Sequence, residues 1–222
     1  MALVLGVTGS IATGKSYLCQ YLVEEYKAVH ADADKVVHRM YDPGKPGFDR
    51  IVEEFGESVI GDDGYIDRKV LGSKVFGNQE RMTALTKAIG DIAGEMKSII
   101  DGWRNELTDD TITILEAVNL IEAGYSEWCD STWLVACSNE VALPRLMDRN
   151  SFSYEEAQQR IDSQRSWQVR APASDLVFHN NGDIDKFSMN IDEKIAETVD
   201  LFQSGHLPVP RWFVWKEQQD KS

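Results

Sequence analysis

Gly9-Ser10-Ile11-Ala12-Thr13-Gly14-Lys15-Ser16 decides how this chain is read. It satisfies the pattern G-x-x-x-x-G-K-[ST] at every fixed position. The apolar run Ala2-Leu3-Val4-Leu5-Gly6-Val7 precedes it and reads as a buried strand, and the amphipathic segment Tyr17 to Tyr26 follows it and reads as a helix. A strand, a glycine loop and a helix N-terminus together aim backbone N–H groups and the helix dipole at phosphate oxygens. Gly9, Ile11, Ala12, Thr13, Gly14, Lys15, Ser16 and Tyr17 are therefore the expected nucleotide contacts. Lys15 adds charge at the β- and γ-phosphates, and Ser16 offers a hydroxyl ligand to Mg²⁺. A chance match in a glycine-rich turn is the competing reading, and the intact pattern with both flanks argues against it.

Composition narrows the field. At 222 residues, with 42% hydrophobic and 27% charged residues, the chain suits one α/β domain with an insertion, or one and a half small domains, and is long enough for a real core. A net charge of -14 argues against general binding to nucleic acid or to membrane surfaces, which are themselves anionic. No apolar run is long enough to span a bilayer. Cys19, Cys129 and Cys137 lack metal-ligand spacing and read as free thiols of a reducing compartment, so a cytoplasmic location is expected. An acidic protein that binds an anionic nucleotide must gather its cations locally.

Four further apolar runs read as strands: Ala28–Ala31, Thr111–Leu115, Thr132–Cys137 and Asp175–His179. Helical patterns separate them, the mark of a parallel sheet covered on both faces. A long helix is expected from Asp185 to Phe202, and the aromatic tail around Trp212 and Trp215 is expected to pack back onto the domain. Between the second and third strands lie about eighty residues, far more than one crossover helix needs. Residues 40–108 are thus expected to form a helical substrate-binding insertion, with helical patterns at Phe48–Phe55, Arg68–Phe76 and Glu80–Leu107. A second insertion, residues 139–173, carries Arg145, Arg149, Arg160, Arg165 and Arg170. Arg145 and Arg149 share a helix face at a spacing of four, and reading the segment as a phosphate-gripping lid competes with reading it as a solvated helix of surface ion pairs. Arg149 is the preferred catalytic lid residue.

Asp32 and Asp34 follow the second strand, at the end of an open sheet where ligands bind. One carboxylate can take the proton of an attacking hydroxyl while the other helps to hold Mg²⁺; an Asp-rich cap on the next helix is the equal alternative. Glu116 ends the third strand and can act on Mg²⁺ through water or on the substrate; Glu122 is a weaker candidate. The histidines show no ligand spacing, and only His38 is expected near the site.

At this point the chain resembles the dephospho-coenzyme A kinase family. The resemblance runs from the P-loop to about Gly182 and rests on the order of several segments. Asp32-Ala33-Asp34, Tyr41-Asp42-Pro43-Gly44 and Ile51–Gly56 come first. Gly64–Asn78 is close to the eukaryotic-type form. Leu120–Gly124, the Arg145 and Arg149 pair, Arg160–Gln164 and Asp175–Gly182 complete it. The resemblance implies a five-stranded parallel sheet of the P-loop nucleotide-kinase type, with a helical insertion and a lid. It implies transfer of the γ-phosphoryl of ATP, with Mg²⁺, to the ribose 3′-hydroxyl of dephospho-CoA. It makes Asp34 the general base, puts Asp32 near Mg²⁺, Asn180 near the adenine, and Arg39 and Arg68 on the acceptor side. The chain departs from the family pattern at Gly90-Asp91, where His-Pro is usual, and at Val118-Asn119-Leu120, where Pro-Leu-Leu is usual. Both departures fall toward the acceptor. A kinase for another nucleotide-like molecule is the first alternative, and a regulatory GTP switch the second. The switch lacks the Asn-Lys-x-Asp tetrad, and Asp91-Ile92-Ala93-Gly94, which fits D-x-x-G, sits in a helical run. Monomer and small homo-oligomer are both open.

Overall fold

The computed structural model describes residues 1–221. Its elements are β1 (Leu3–Thr8), α1 (Lys15–Tyr26), β2 (Val29–Asp32), α2 (Ala33–Arg39), α3 (Pro46–Phe55), α4 (Arg68–Val75), α5 (Gln79–Ile89), α6 (Ile92–Glu106), β3 (Ile112–Glu116), β4 (Ser131–Ala136), α7 (Asn139–Asn150), α8 (Tyr154–Asp162), α9 (Trp167–Arg170), β5 (Leu176–His179), α10 (Ile184–Gln203) and α11 (Arg211–Gln219). The five strands form one sheet in the order β2-β3-β1-β4-β5. β1 pairs in parallel with β3 (Leu5 opposite Ile114) and with β4 (Val7 opposite Trp133). All six residues of β1 are buried, which explains why that strand reads as a continuous apolar run instead of alternating.

The chain separates into two compact units, Met1–Ala31 with Lys97–Ser222, and Asp32–Met96. The first holds the sheet. Its core gathers Leu3, Leu5, Leu18, Leu22, Ile114, Trp133, Phe178 and Ile191, with the Trp133 and Phe178 rings 4.9 Å apart. Each fully buried side chain of this size contributes about 1.5–3 kcal/mol. α10 buries Phe187, Ile191 and Ile195 at a spacing of four, the stripe expected of a helix lying on a sheet. Tyr21 and Tyr26 of α1 donate hydrogen bonds to Asp192 of α10 at 2.9 and 2.8 Å. The tail folds back as α11, where Trp212 packs on Ile121 and Ala173.

The second unit has a core of its own, built on Ile51, Phe55, Val59, Leu71, Val75 and Ile89. Its bounds lie N-terminal to the expected 40–108 span, because the chain leaves the sheet unit at Asp32 and re-enters it within α6. The single helical pattern over Glu80–Leu107 is corrected to two helices. Gly90 adopts φ 112°, which ends α5, and the Arg50 side chain donates to the carbonyls of Ala88 and Ile89 at 2.7 and 3.0 Å. A side-chain cation on the last carbonyls is a strong stop signal that helical periodicity does not carry. The first helix begins at Lys15, two residues before the apolar pattern, and β2 runs one residue later than expected.

Candidate active site

The phosphate loop leaves β1 where the sheet order switches between β3 and β4, the place where open α/β sheets bind ligands. Two glycines are forced by close approach. A Cβ on Gly9 would lie 2.6 Å from the Val135 carbonyl oxygen, and one on Gly14 would lie 2.2 Å from Asn180 Nδ2. Gly14 also holds φ 99°, and Ala12 sits in the left-handed region at φ 61°. Gly14 caps α1 without any side-chain hydrogen bond, so the first-turn N–H groups keep their capacity for an anion. Asn180 Nδ2 donates to the Thr13 carbonyl at 2.9 Å, and Thr13 Oγ1 to the Ser10 carbonyl at 2.9 Å.

Lys15 and Ser16 both reach Glu116 at the end of β3. Lys15 forms an ion pair with Oε1, and Ser16 Oγ donates to the same oxygen at 3.0 Å. The Glu116 side chain is only 4% exposed. Burial alone would push its pKa up, but the nearby His30, Lys15 and Ser16 outweigh that and hold it down at about 2. His30 Nε2 lies 2.9 Å from Glu116 Oε2. The expectation that only His38 lies near the site is therefore corrected: β2 and β3 are neighbouring strands, and that adjacency is invisible in a linear sequence. Cys19, His30 and Glu116 bring one ligand atom each to within 4.8 Å of one another. The Lys15 ammonium bonded to Glu116 opposes a cation there. The Ser16 hydroxyl, at the start of α1, is instead a hard oxygen donor of the kind that suits Mg²⁺.

The arginines of residues 139–173 divide. Arg145 of α7 turns onto Asn180, donating to its carbonyl at 3.1 Å and to Oδ1 at 3.3 Å. Arg149, four residues on, is exposed and, among the described residues, bonds only its neighbour Asn150 at 2.9 Å. Their shared face does not bring them to one partner. Arg170 is 3% exposed; it pairs with Glu122 at 2.8 Å and donates to Ser10 Oγ at 3.2 Å. Gln164 Oε1 accepts from the Ile11 N–H at 2.7 Å, and Ser10 Oγ donates to the Arg165 carbonyl at 3.1 Å. The phosphate loop is thus tied to the segment after α8 by three hydrogen bonds. A cleft of about 620 Å³ opens between the two, walled by Ser10, Ile11, Thr13, Ser138, Gln164, Trp167, His179 and Asn181. Tyr17 turns away from the loop, its hydroxyl 2.8 Å from Ser188 Oγ.

Comparison with known proteins meets this geometry. The family model described as dephospho-CoA kinase matches residues 3–186. The chain belongs to the dephospho-CoA kinase family. Among curated members, the dephospho-CoA kinase of Carboxydothermus hydrogenoformans is 35% identical over 185 residues, covering 82% of this chain and 87% of that protein. That of Oceanobacillus iheyensis is 33% identical over 198 residues, covering 89% and 98%. A crystal structure from Thermus thermophilus superposes with a TM-score of 0.72 at 26% identity, covering 88% of this chain and 97% of that one. The dephospho-CoA kinase of Campylobacter jejuni shares the fold, with a TM-score of 0.60.

The family's acceptor-side candidates lie in the Asp32–Met96 unit. Asp32 caps α2, accepting from the N–H groups of Asp34 and Lys35 at 3.0 and 3.3 Å, which is the capping alternative seen in the sequence. Asp34 is exposed, and its carboxylate has no hydrogen-bond or ion-pair partner among the described residues. Arg39 is exposed and donates to the Lys35 carbonyl at 3.4 Å. Arg68, in the first turn of α4, lies 3.0 Å from His38 Nδ1. Burial and the Arg68 charge lower the His38 pKa. Sequence reasoning placed Arg170 and Gln164 in the lid segment without naming their partners, and left His30 without a role. The burial of Arg170 was the missing signal, since a buried arginine needs a partner.

Proposed function

We propose that the chain transfers the γ-phosphoryl group of ATP to the ribose 3′-hydroxyl of dephospho-CoA, giving CoA and ADP. The observation that carries this reading is the uncapped N-terminus of α1 behind a loop whose two glycines admit no side chain, with Lys15 at its first helical position. Family membership supplies the acceptor.

Backbone N–H groups of Gly9–Ser16 hold the phosphates, and Lys15 leaves Glu116 to neutralise the β- and γ-oxygens. Asn180 braces the loop, and Arg145 braces Asn180. Arg149, exposed and bonded to its neighbour Asn150, meets the transferring group from the lid. Asp34 takes the hydroxyl proton as the acceptor oxygen attacks in line; its unpartnered carboxylate suits a base. Arg39 and Arg68 bind the anionic groups of the acceptor. Ser16 and Asp32 would hold Mg²⁺, which would supply charge neutralisation for the transferring group. A cytoplasmic location accords with three buried cysteines that form no disulfide.

A coupled ADP-release assay tests the acceptor. Dephospho-CoA should support turnover well above a panel of nucleoside monophosphates. ADP release with a monophosphate but not with dephospho-CoA would move the chain to another acceptor.

A further inference from the structure

Glu116 is held from two sides by groups of different kinds. On Oε1 sit Lys15 and Ser16, both part of the phosphate loop, and both would be drawn to a bound triphosphate. On Oε2 sits His30, which belongs to a sheet strand and has nowhere to go. Its Nε2 is buried and 2.9 Å from the carboxylate, yet misaligned for a hydrogen bond, and no other partner reaches it among the described residues. A buried ring nitrogen without a hydrogen bond is costly and calls for a state in which it is satisfied. Glu116 presents the complementary problem. Once Lys15 and Ser16 turn to the nucleotide, a carboxylate almost wholly out of solvent loses its partners on that side.

We propose that His30 is a positioning residue that accepts custody of Glu116: its Nε2–H donates to the carboxylate when Lys15 and Ser16 engage the nucleotide. The hand-over needs only a small rotation of the carboxylate, because β2 and β3 are adjacent strands and fix both side-chain origins. It keeps Glu116 charged and in place while Lys15 is released. The benefit is greater in the nucleotide-bound state, since in the free protein Lys15 and Ser16 share the carboxylate with His30. A residue with such a differential role alters ligand affinity more than stability. The inference rests on the reading of the phosphate loop as the ATP site.

The test is calorimetric titration of the full chain with ATP and Mg²⁺, alongside thermal unfolding of the nucleotide-free protein. His30→Leu should weaken ATP·Mg²⁺ binding about tenfold, the loss of one hydrogen bond to a buried charge. Its nucleotide-free unfolding midpoint should stay near that of the original chain. His30→Gln, whose side-chain amide reaches the place of Nε2, should recover most of the affinity. Original affinity in His30→Leu overturns the proposal. So does His30→Gln binding as weakly as His30→Leu, which makes the ring a packing element. If His30→Leu does not fold, His30→Asn replaces it, because its shorter amide falls short of Glu116. The same tenfold loss is then expected, and undiminished affinity overturns the idea. Absence of ATP binding in the unsubstituted chain would instead overturn the donor-site reading, and this inference with it.

Discussion

Around the phosphate loop the charged side chains interlock: Lys15 with Glu116, Arg145 with Asn180, Arg170 with Glu122 and Ser10. In the Asp32–Met96 unit the residues proposed for the acceptor are loosely held: Asp34 and Arg39 face solvent, and Arg68 touches His38. The contrast separates two kinds of work. A phosphate grip acts by preorganised charge, and preorganisation needs partners that fix each side chain before the ligand arrives. A base has to be available to an incoming hydroxyl, so a carboxylate free of partners is suited to the task. Substitutions in the first set should therefore disturb nucleotide binding and stability together, and those in the second should spare both while disturbing turnover or acceptor binding.

Asp34→Asn gives the largest effect on this account. It should cut kcat about 10³-fold by removing general-base catalysis, with ATP affinity and unfolding midpoint nearly unchanged, as steady-state kinetics and titration would show. Near-normal kcat would remove Asp34 from the mechanism. Lys15→Ala should lower kcat/KM by about 10²-fold, since it deletes a charge aimed at the transferring group, and should weaken ATP binding in calorimetry as well. The two arginines of α7 sharpen the comparison within one helix. Arg149→Ala should lower kcat roughly thirtyfold with little change in KM, as expected of a cation used mainly in the transition state. Arg145→Ala should raise KM for ATP about tenfold through loss of the charge-assisted bonds to Asn180. Reversal of that split would exchange their roles.

The remaining effect is on stability. The Glu116 pKa is held near 2 against an ordinary value of 4.5, so its ionised form stabilises the fold above pH 4.5. That contribution is lost as pH falls from 4.5 through 2. Glu116→Gln should cost about 1–3 kcal/mol at neutral pH by leaving Lys15 unpaired. The gap between the two proteins in urea unfolding should close as pH falls through that window. A gap that is constant with pH would mean that the ion pair does not stabilise the fold.

Much of this was legible in the chain. Gly9–Ser16 with its flanks gave the loop, and β1, β3 and β4 showed themselves as apolar runs because they are buried on both faces. Contacts between distant segments were not legible. The break at Gly90 depends on Arg50, which lies far away in sequence, and the nearness of His30 to Glu116 depends on strand order. The Arg170–Glu122 pair joins residues 48 apart. The periodicity that placed Arg145 and Arg149 on one face was sound, yet which of them finds Asn180 is settled by tertiary packing.

The central claim is the identity of the transferred group and of the atom that receives it. The purified chain, incubated with γ-labelled ATP, Mg²⁺ and dephospho-CoA, should place the label on the ribose 3′-oxygen of the acceptor, with ADP formed in equal amount. Label released only as inorganic phosphate, or carried at another position, would contradict the account.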